Sequence, residues 1–93
     1  MKYKIKYTTQ FKKDYRLAKR QNKNPDLLME VVALLAEGKT LPAKYNEHPL
    51  IGNWKGFREC HILPDWLLIY KIEDDILVLT LTRTGSHSDL FQR

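Results

Sequence analysis

Trp66-Leu67-Leu68-Ile69-Tyr70-Lys71-Ile72 is the stretch on which the fold turns. Only Lys71 interrupts a continuous apolar run, the pattern of a central strand covered on both faces. Pro64-Asp65 marks a turn before it and Glu73-Asp74-Asp75 a turn after it. Upstream, Trp54 to Ile62 alternates, with Phe57, Glu59 and His61 on one face and Arg58, Cys60 and Ile62 on the other. Downstream, Ile76 to Thr84 reads as the last strand. Short turns between consecutive strands imply an antiparallel meander.

Toward the N-terminus, Tyr3, Ile5 and Tyr7 alternate with Lys2, Lys4 and Lys6, so a strand with one buried and one solvated face is expected. The lysines suit a sheet edge. Thr8 and Thr9 offer N-cap hydroxyls for a helix from Thr9 to Gln21, in which Phe11, Tyr15 and Ala18 share one face. Lys12, Lys13, Arg16, Lys19 and Arg20 cover much of the rest. Asn24-Pro25 starts a second helix, with Asn as N-cap and Pro in the first turn. Leu27, Leu28, Val31, Leu34 and Leu35 form its stripe, and Gly38 ends it. The connection 39–52 carries Pro42 and Pro49, and Leu41, Tyr45, Leu50 and Ile51 are expected to pin it to the core.

The order is therefore β-α-α-β-β-β. It predicts one α+β domain over residues 1–93, with two N-terminal helices on one face of a mostly antiparallel four-stranded sheet and a short C-terminal helical turn. Gln92 and Arg93 are expected to fray.

The net charge is +5 over 93 residues. Residues 1–44 carry 11 Lys and Arg against 4 Asp and Glu, whereas residues 45–93 carry 5 against 7. A basic face of this kind favours polyanions or an acidic protein partner. The single cysteine, Cys60, forms no intramolecular disulfide, which fits a reducing cytoplasm. No apolar run approaches the roughly 18 residues of a membrane span, so a soluble, cytoplasmic protein is expected.

All three histidines, His48, His61 and His87, lie after residue 45. His61 and Asp65 sit four apart across a Leu-Pro turn, so their side chains are expected to converge. His87 follows the last strand and can return to the same end of the sheet. Imidazoles beside a carboxylate have the parts for acid–base work near neutral pH. No His-x-x-x-His helix and no cysteine pair point to a metal, and no Gly-rich phosphate loop points to a nucleotide cofactor.

Several motifs carry a resemblance. They are Phe11-Lys12-Lys13-Asp14, Leu41-Pro42 with Tyr45, His48-Pro49-Leu50, Gly52-Asn53-Trp54, and Arg58-Glu59-Cys60-His61-Ile62. Pro64-Asp65-Trp66-Leu67-Leu68-Ile69-Tyr70 and Arg83-Thr84-Gly85-Ser86-His87-Ser88-Asp89-Leu90-Phe91 complete the set. Over essentially its whole length the chain resembles the RelE/ParE toxin superfamily, and within it the YafQ-like ribosome-dependent mRNA interferases.

The resemblance implies a RelE-like fold and cleavage of the mRNA codon in the ribosomal A site. It implies active residues at His48, His61, Asp65, Trp66, His87 and Phe91. The implied partners are a cognate antitoxin, the 70S ribosome and mRNA, with operator DNA reached only through the antitoxin. Such cleavage uses the RNA 2′-OH as nucleophile and needs a base, an acid and charge near the phosphate, with no metal or cofactor. On this reading His48 or a His61/Asp65 pair is the base and His87 the acid. Arg83 neutralises the phosphate, Trp66 and Phe91 stack on bases, and Lys12, Lys13, Arg16, Lys19 and Arg20 grip ribosomal RNA. Rival readings are a ParE-like gyrase inhibitor, a non-catalytic RNA- or ribosome-binding module, and an inactive homologue kept for transcriptional control.

Overall fold

The computed structural model describes residues 1–91; the expected fraying of Gln92 and Arg93 lies outside them. The elements are β1 (Lys4–Tyr7), α1 (Thr9–Arg20), α2 (Pro25–Ala36), β2 (His48–Pro49), β3 (Arg58–Leu63), β4 (Trp66–Glu73), β5 (Val78–Gly85) and α3 (His87–Phe91). One sheet has the order β1-β5-β4-β3-β2, which puts β4 at its centre. The central stretch is covered on both sides as its composition requires. Trp66, Leu68 and Tyr70 join Phe11, Ala18, Leu28, Val31, Val32 and Leu35 in the main core. Leu67 and Ile69 pack with Leu90 in a smaller cluster, against Leu50, Trp54, Phe57 and Phe91. Each fully buried aliphatic chain of this kind contributes roughly 1.5–3 kcal/mol. The sheet therefore has a helical face under α1 and α2, and an opposite face covered, among the described residues, by α3 and the segment before β3.

Both helix starts follow the sequence. The Phe11 N–H donates to Thr8 Oγ1 over 3.0 Å, and the Asp26 N–H donates to Asn24 Oδ1 over 3.0 Å. Gly38, just past α2, has φ +76°, the left-handed conformation that ends helices.

Several expectations are corrected. The sheet has five strands rather than four, because His48–Pro49 pairs with Glu59 and Arg58 of β3. The β3–β4–β5 meander is antiparallel as expected, but β1 adds to β5 in parallel, from Lys4↔Val78 to Tyr7↔Leu81. Trp54 is not in a strand: Gly52, at φ +65°, opens a 3-10 turn over Gly52–Trp54, and β3 begins at Arg58. Leu77, at φ +52°, closes the acidic turn, so β5 begins at Val78 rather than Ile76. Tyr7 is 46% exposed at the sheet edge, and Ile51 is 86% exposed instead of pinning its loop.

The loop before β2 is tied down by polar groups. Glu47 accepts from Arg58 Nη2 at 2.9 Å and also from Arg58 Nε, and the Tyr70 hydroxyl donates to it at 2.7 Å. The Arg58 hydrogen bonds hold the Glu47 carboxyl below its usual range. This knot fixes the residue next to His48.

Candidate active site

The face opposite α1 and α2 gathers the histidines. The β2–β3 register sets His48 directly across from Glu59, with His48 Nε2 2.9 Å from Glu59 Oε2. The other nitrogen of His48, Nδ1, lies 3.1 Å from the Pro49 carbonyl. His61, two residues along the same face of β3, brings its Nε2 to 3.8 Å from that carboxylate oxygen. Glu59 is 4% exposed, and its Oε1 is the buried side-chain polar atom without a hydrogen-bond partner among the described residues.

Gly85 lets α3 fold back over the end of β5. A Cβ there would lie 3.3 Å from both Asp89 Cβ and Leu90 Cδ2. Leu90 is buried and anchors the helix, and the Asp89 N–H donates to Ser86 Oγ over 3.1 Å. His87 is thereby brought above the turn at Asp65. Asp65 Oδ1 accepts from the His87 backbone N–H at 3.2 Å and faces His87 Nδ1 at 3.4 Å. These bonds, the backbone one first, hold the Asp65 carboxyl below its ordinary value of 3.8.

The rings then form a row. Centroid separations are 6.3 Å from His48 to His61, 5.8 Å from His61 to His87 and 6.2 Å from His87 to Phe91. Two carboxylates flank this row from different elements. Glu59 serves His48 and His61, and Asp65 serves His87. With its Nδ1 directed at a carboxylate, His87 has Nε2 left for a reacting atom, the arrangement of an oriented acid or base.

Three expected roles change. His61 does not pair with Asp65: a bulge between His61 and Leu63 shifts the register, and the turn carries Asp65 to the start of α3. Trp66 is 1% exposed on the helical face, and its indole N–H donates to Thr84 Oγ1 at 2.9 Å, so its ring is closed to a base. The Arg83 guanidinium is engaged by Asp14, through Nε at 2.9 Å and Nη2 at 3.1 Å, and the Thr84 N–H adds a third bond at 3.2 Å. Asp14 is 8% exposed. This ion pair ties α1 to the end of β5, which makes Arg83 a residue that holds the strand from which α3 departs.

Glu59 is the functional candidate that the sequence reading did not single out. The available signal was a Glu-x-His step, Glu59 and His61, which puts both side chains on one strand face. Cys60, on the other face, is fully buried, and burial pushes its thiol up to about 12, so it is no nucleophile near neutral pH. The basic side chains Lys12, Lys13, Arg16, Lys19 and Arg20 are exposed on α1, on the layer opposite the histidines. His48, Glu59 and His61 also offer ligand atoms that all lie within 4.8 Å of one another, a spacing able to accept a divalent cation.

Residues 3–92 match the family described as bacterial toxin of type II toxin-antitoxin system, YafQ. The mRNA interferase toxin YafQ of Escherichia coli (strain K12) is 44% identical over 88 residues, covering 94% of each chain. The toxin in the crystal structure of the E. coli DinJ-YafQ complex is 43% identical, with a TM-score of 0.88 over 96% of this chain and 98% of that one. A metal-bound toxin from Helicobacter pylori is also 43% identical, with a TM-score of 0.90 over 96% and 99% of the two chains.

Proposed function

The chain belongs to the YafQ family of bacterial type II toxins, and from that premise we propose that it is an endoribonuclease that cuts mRNA in the ribosomal A site. The observation that carries this reading is the row of His48, His61 and His87 flanked by Glu59 and Asp65 on one face of the sheet. The whole of residues 1–93 acts as one catalytic domain in the cytoplasm. Its protein partner is a cognate antitoxin, through which alone it meets operator DNA.

The reaction is a transesterification. The 2′-OH of one nucleotide attacks the adjacent phosphorus, the new P–O2′ bond forms, and the P–O5′ bond breaks. The His48/Glu59 unit, with His61 beside it, takes the 2′-OH proton. His87, held by Asp65, returns a proton to the leaving 5′-oxygen. Each such proton transfer is worth about 10²–10⁴-fold in rate. Charge on the phosphate is met by whichever imidazole is protonated, so no metal enters the step. Phe91 lies at the end of the row and stacks on a base. The exposed cations of α1 bind ribosomal RNA.

Primer extension on a defined mRNA tests the proposal, with and without translating ribosomes, beside His87→Gln. In-frame cuts that need both ribosomes and His87 are expected. Folded wild-type protein that makes no cuts, while inhibiting gyrase supercoiling, would replace the nuclease with the gyrase-inhibitor reading.

A further inference from the structure

Glu47 and His48 are neighbours in sequence, and so are Arg58 and Glu59. Successive side chains of an extended chain point to opposite faces. The pairing of β2 with β3 therefore carries two contacts back to back. On the histidine side, His48 Nε2 meets Glu59 Oε2 at 2.9 Å. On the helical side, Arg58 forks onto Glu47, with Nη2 2.9 Å from Oε1 and Nε on Oε2. The hydroxyl of Tyr70, a main-core residue, donates to the same Oε2 at 2.7 Å. This second contact has no part in the proton transfers, yet it joins the same two backbone segments.

Little else holds β2. It is an edge strand, its ladder on β3 is two residues long, and Pro49 has no N–H to give to that ladder. Past it, the Leu50 N–H reaches the Phe57 carbonyl at 2.9 Å. The contact of His48 Nδ1 with the Pro49 carbonyl lies within β2 and moves with it. So short an edge pairing opens locally more readily than the core. A fork of two charge-assisted hydrogen bonds, by contrast, fixes distance and angle together. Tyr70, buried on the central strand, anchors that fork to the middle of the sheet.

We propose that the Glu47–Arg58–Tyr70 knot is the positioning clamp of the catalytic base: from the reverse face of the sheet it holds the His48 imidazole against Glu59. The inference rests on the nuclease reading above and adds two positioning residues, Glu47 and Arg58, which act through His48 rather than on RNA. Magnitudes separate this role from a scaffold role. The side chains of Glu47 and Arg58 are 26% and 40% exposed, so water screens their attraction and the pair adds little to global stability. A displacement of about 1 Å at a catalytic group, however, costs up to about 10²-fold in rate. Loss of the clamp is therefore felt in catalysis before it is felt in folding.

The test compares Arg58→Met, which keeps an aliphatic stem, with Glu47→Gln, which keeps an acceptor for Tyr70. In the ribosomal cleavage assay each is expected to lower kcat about 10- to 100-fold and to leave KM within about threefold. The thermal midpoint stays within about 8 °C of wild type. By NMR, the Leu50 N–H exchanges at least about 10-fold faster, while the amides of Leu68 and Leu79 keep their protection. The cross-peak between the His48 ring and the Glu59 side chain weakens. In a His48→Ala background, where the group being held is gone, Arg58→Met changes kcat less than about twofold. An equal loss in that background is a general structural effect and overturns the proposal. So does an unaltered Leu50 N–H and His48–Glu59 contact in both variants. A loss confined to Arg58→Met, with Glu47→Gln at the wild-type rate, also overturns it, by making the guanidinium a direct RNA contact. The two readings separate as well. A loosened His48 in both variants, with wild type that does not cut mRNA, leaves the clamp standing without the nuclease. Wild-type cutting with unchanged rates in both variants leaves the nuclease standing and overturns the clamp.

Discussion

Oδ1 of Asp65 lies 3.2 Å from the backbone nitrogen of His87 and 3.4 Å from that residue's Nδ1. The backbone bond is the larger cause of the lowered Asp65 pKa, and the imidazole the next. A carboxyl depressed by folding stabilises the native state above its unfolded value and loses that contribution as pH falls through the folded value. The window is therefore on the acid side of 3.8, the ordinary value for this group. The Asp65 carboxyl signal in NMR should titrate with a midpoint below 3.8. In His87→Gln the backbone bond remains, so the midpoint should rise only part of the way. Asp65→Asn should lower the cleavage rate about 10-fold, as loss of a hydrogen bond to a charged group does.

Glu59 combines deep burial with an oxygen that lacks a partner. Such a group is placed for activity at the expense of stability. Glu59→Gln should therefore cut the rate about 10²-fold or more, by removing the charge that orients His48 and His61. Its urea unfolding free energy should stay within about 1 kcal/mol of wild type or exceed it. A variant that lost both activity and stability would show Glu59 to be a scaffold residue.

The Asp14–Arg83 pair behaves in the opposite way. Asp14→Ala leaves the partly buried guanidinium without its partner and should cost about 3 kcal/mol, at the low end for a broken buried pair because Arg83 is partly hydrated. Equilibrium urea unfolding of Asp14→Ala, Arg83→Met and the double variant would measure this. The double variant should be more stable than the sum of the two single losses predicts.

The proposed acid–base cleavage, which uses no metal, makes a simple prediction about chelation. EDTA should leave the rate unchanged. Zinc or copper ions should inhibit, because His48, Glu59 and His61 are spaced to capture them and a ligated imidazole cannot take a proton. Loss of activity in EDTA, with recovery on adding a divalent ion, would remove the acid–base scheme.

On α1, Lys12, Lys13 and Arg16 are exposed and lie on the layer opposite the histidines. Reversing all three to Glu should weaken ribosome binding and flatten its dependence on salt. Cleavage of a short RNA, if detectable without ribosomes, should not change. Ribosome affinity that ignored the reversal would place the contact elsewhere.

The central strand, the two capped helices and the meander were legible because each is set by local pattern and turn chemistry. What escaped depended on distant partners. The two-residue β2 has no period of its own and exists only because His48 meets Glu59 across the sheet. Asp14 lies among the charged residues of α1 with no local sign of its partner, which is 69 residues away. A strand buried on both faces gives no sign of which side carries chemistry, so the base-stacking role that the resemblance implied for Trp66 has no local signal against it, although the ring is in the core. Glu59 was passed over for a similar reason: a charged residue in an alternating strand reads as solvent-facing. Its burial follows from cover supplied by the segment 50–57.

The parallel pairing of β1 with β5 has a mechanical consequence. Their bonds join Lys4–Tyr7 to Val78–Leu81, strands near the two ends of the chain that run in the same direction. Tension between those ends pulls β1 and β5 past each other along their length, so the ladder is loaded in shear and its bonds share the force. An antiparallel terminal hairpin pulled the same way would peel open one bond at a time. Forced unfolding is governed by the rate of crossing the unfolding barrier. A machine that grips one end of this domain and drags it through a pore must break that four-residue clamp as a unit.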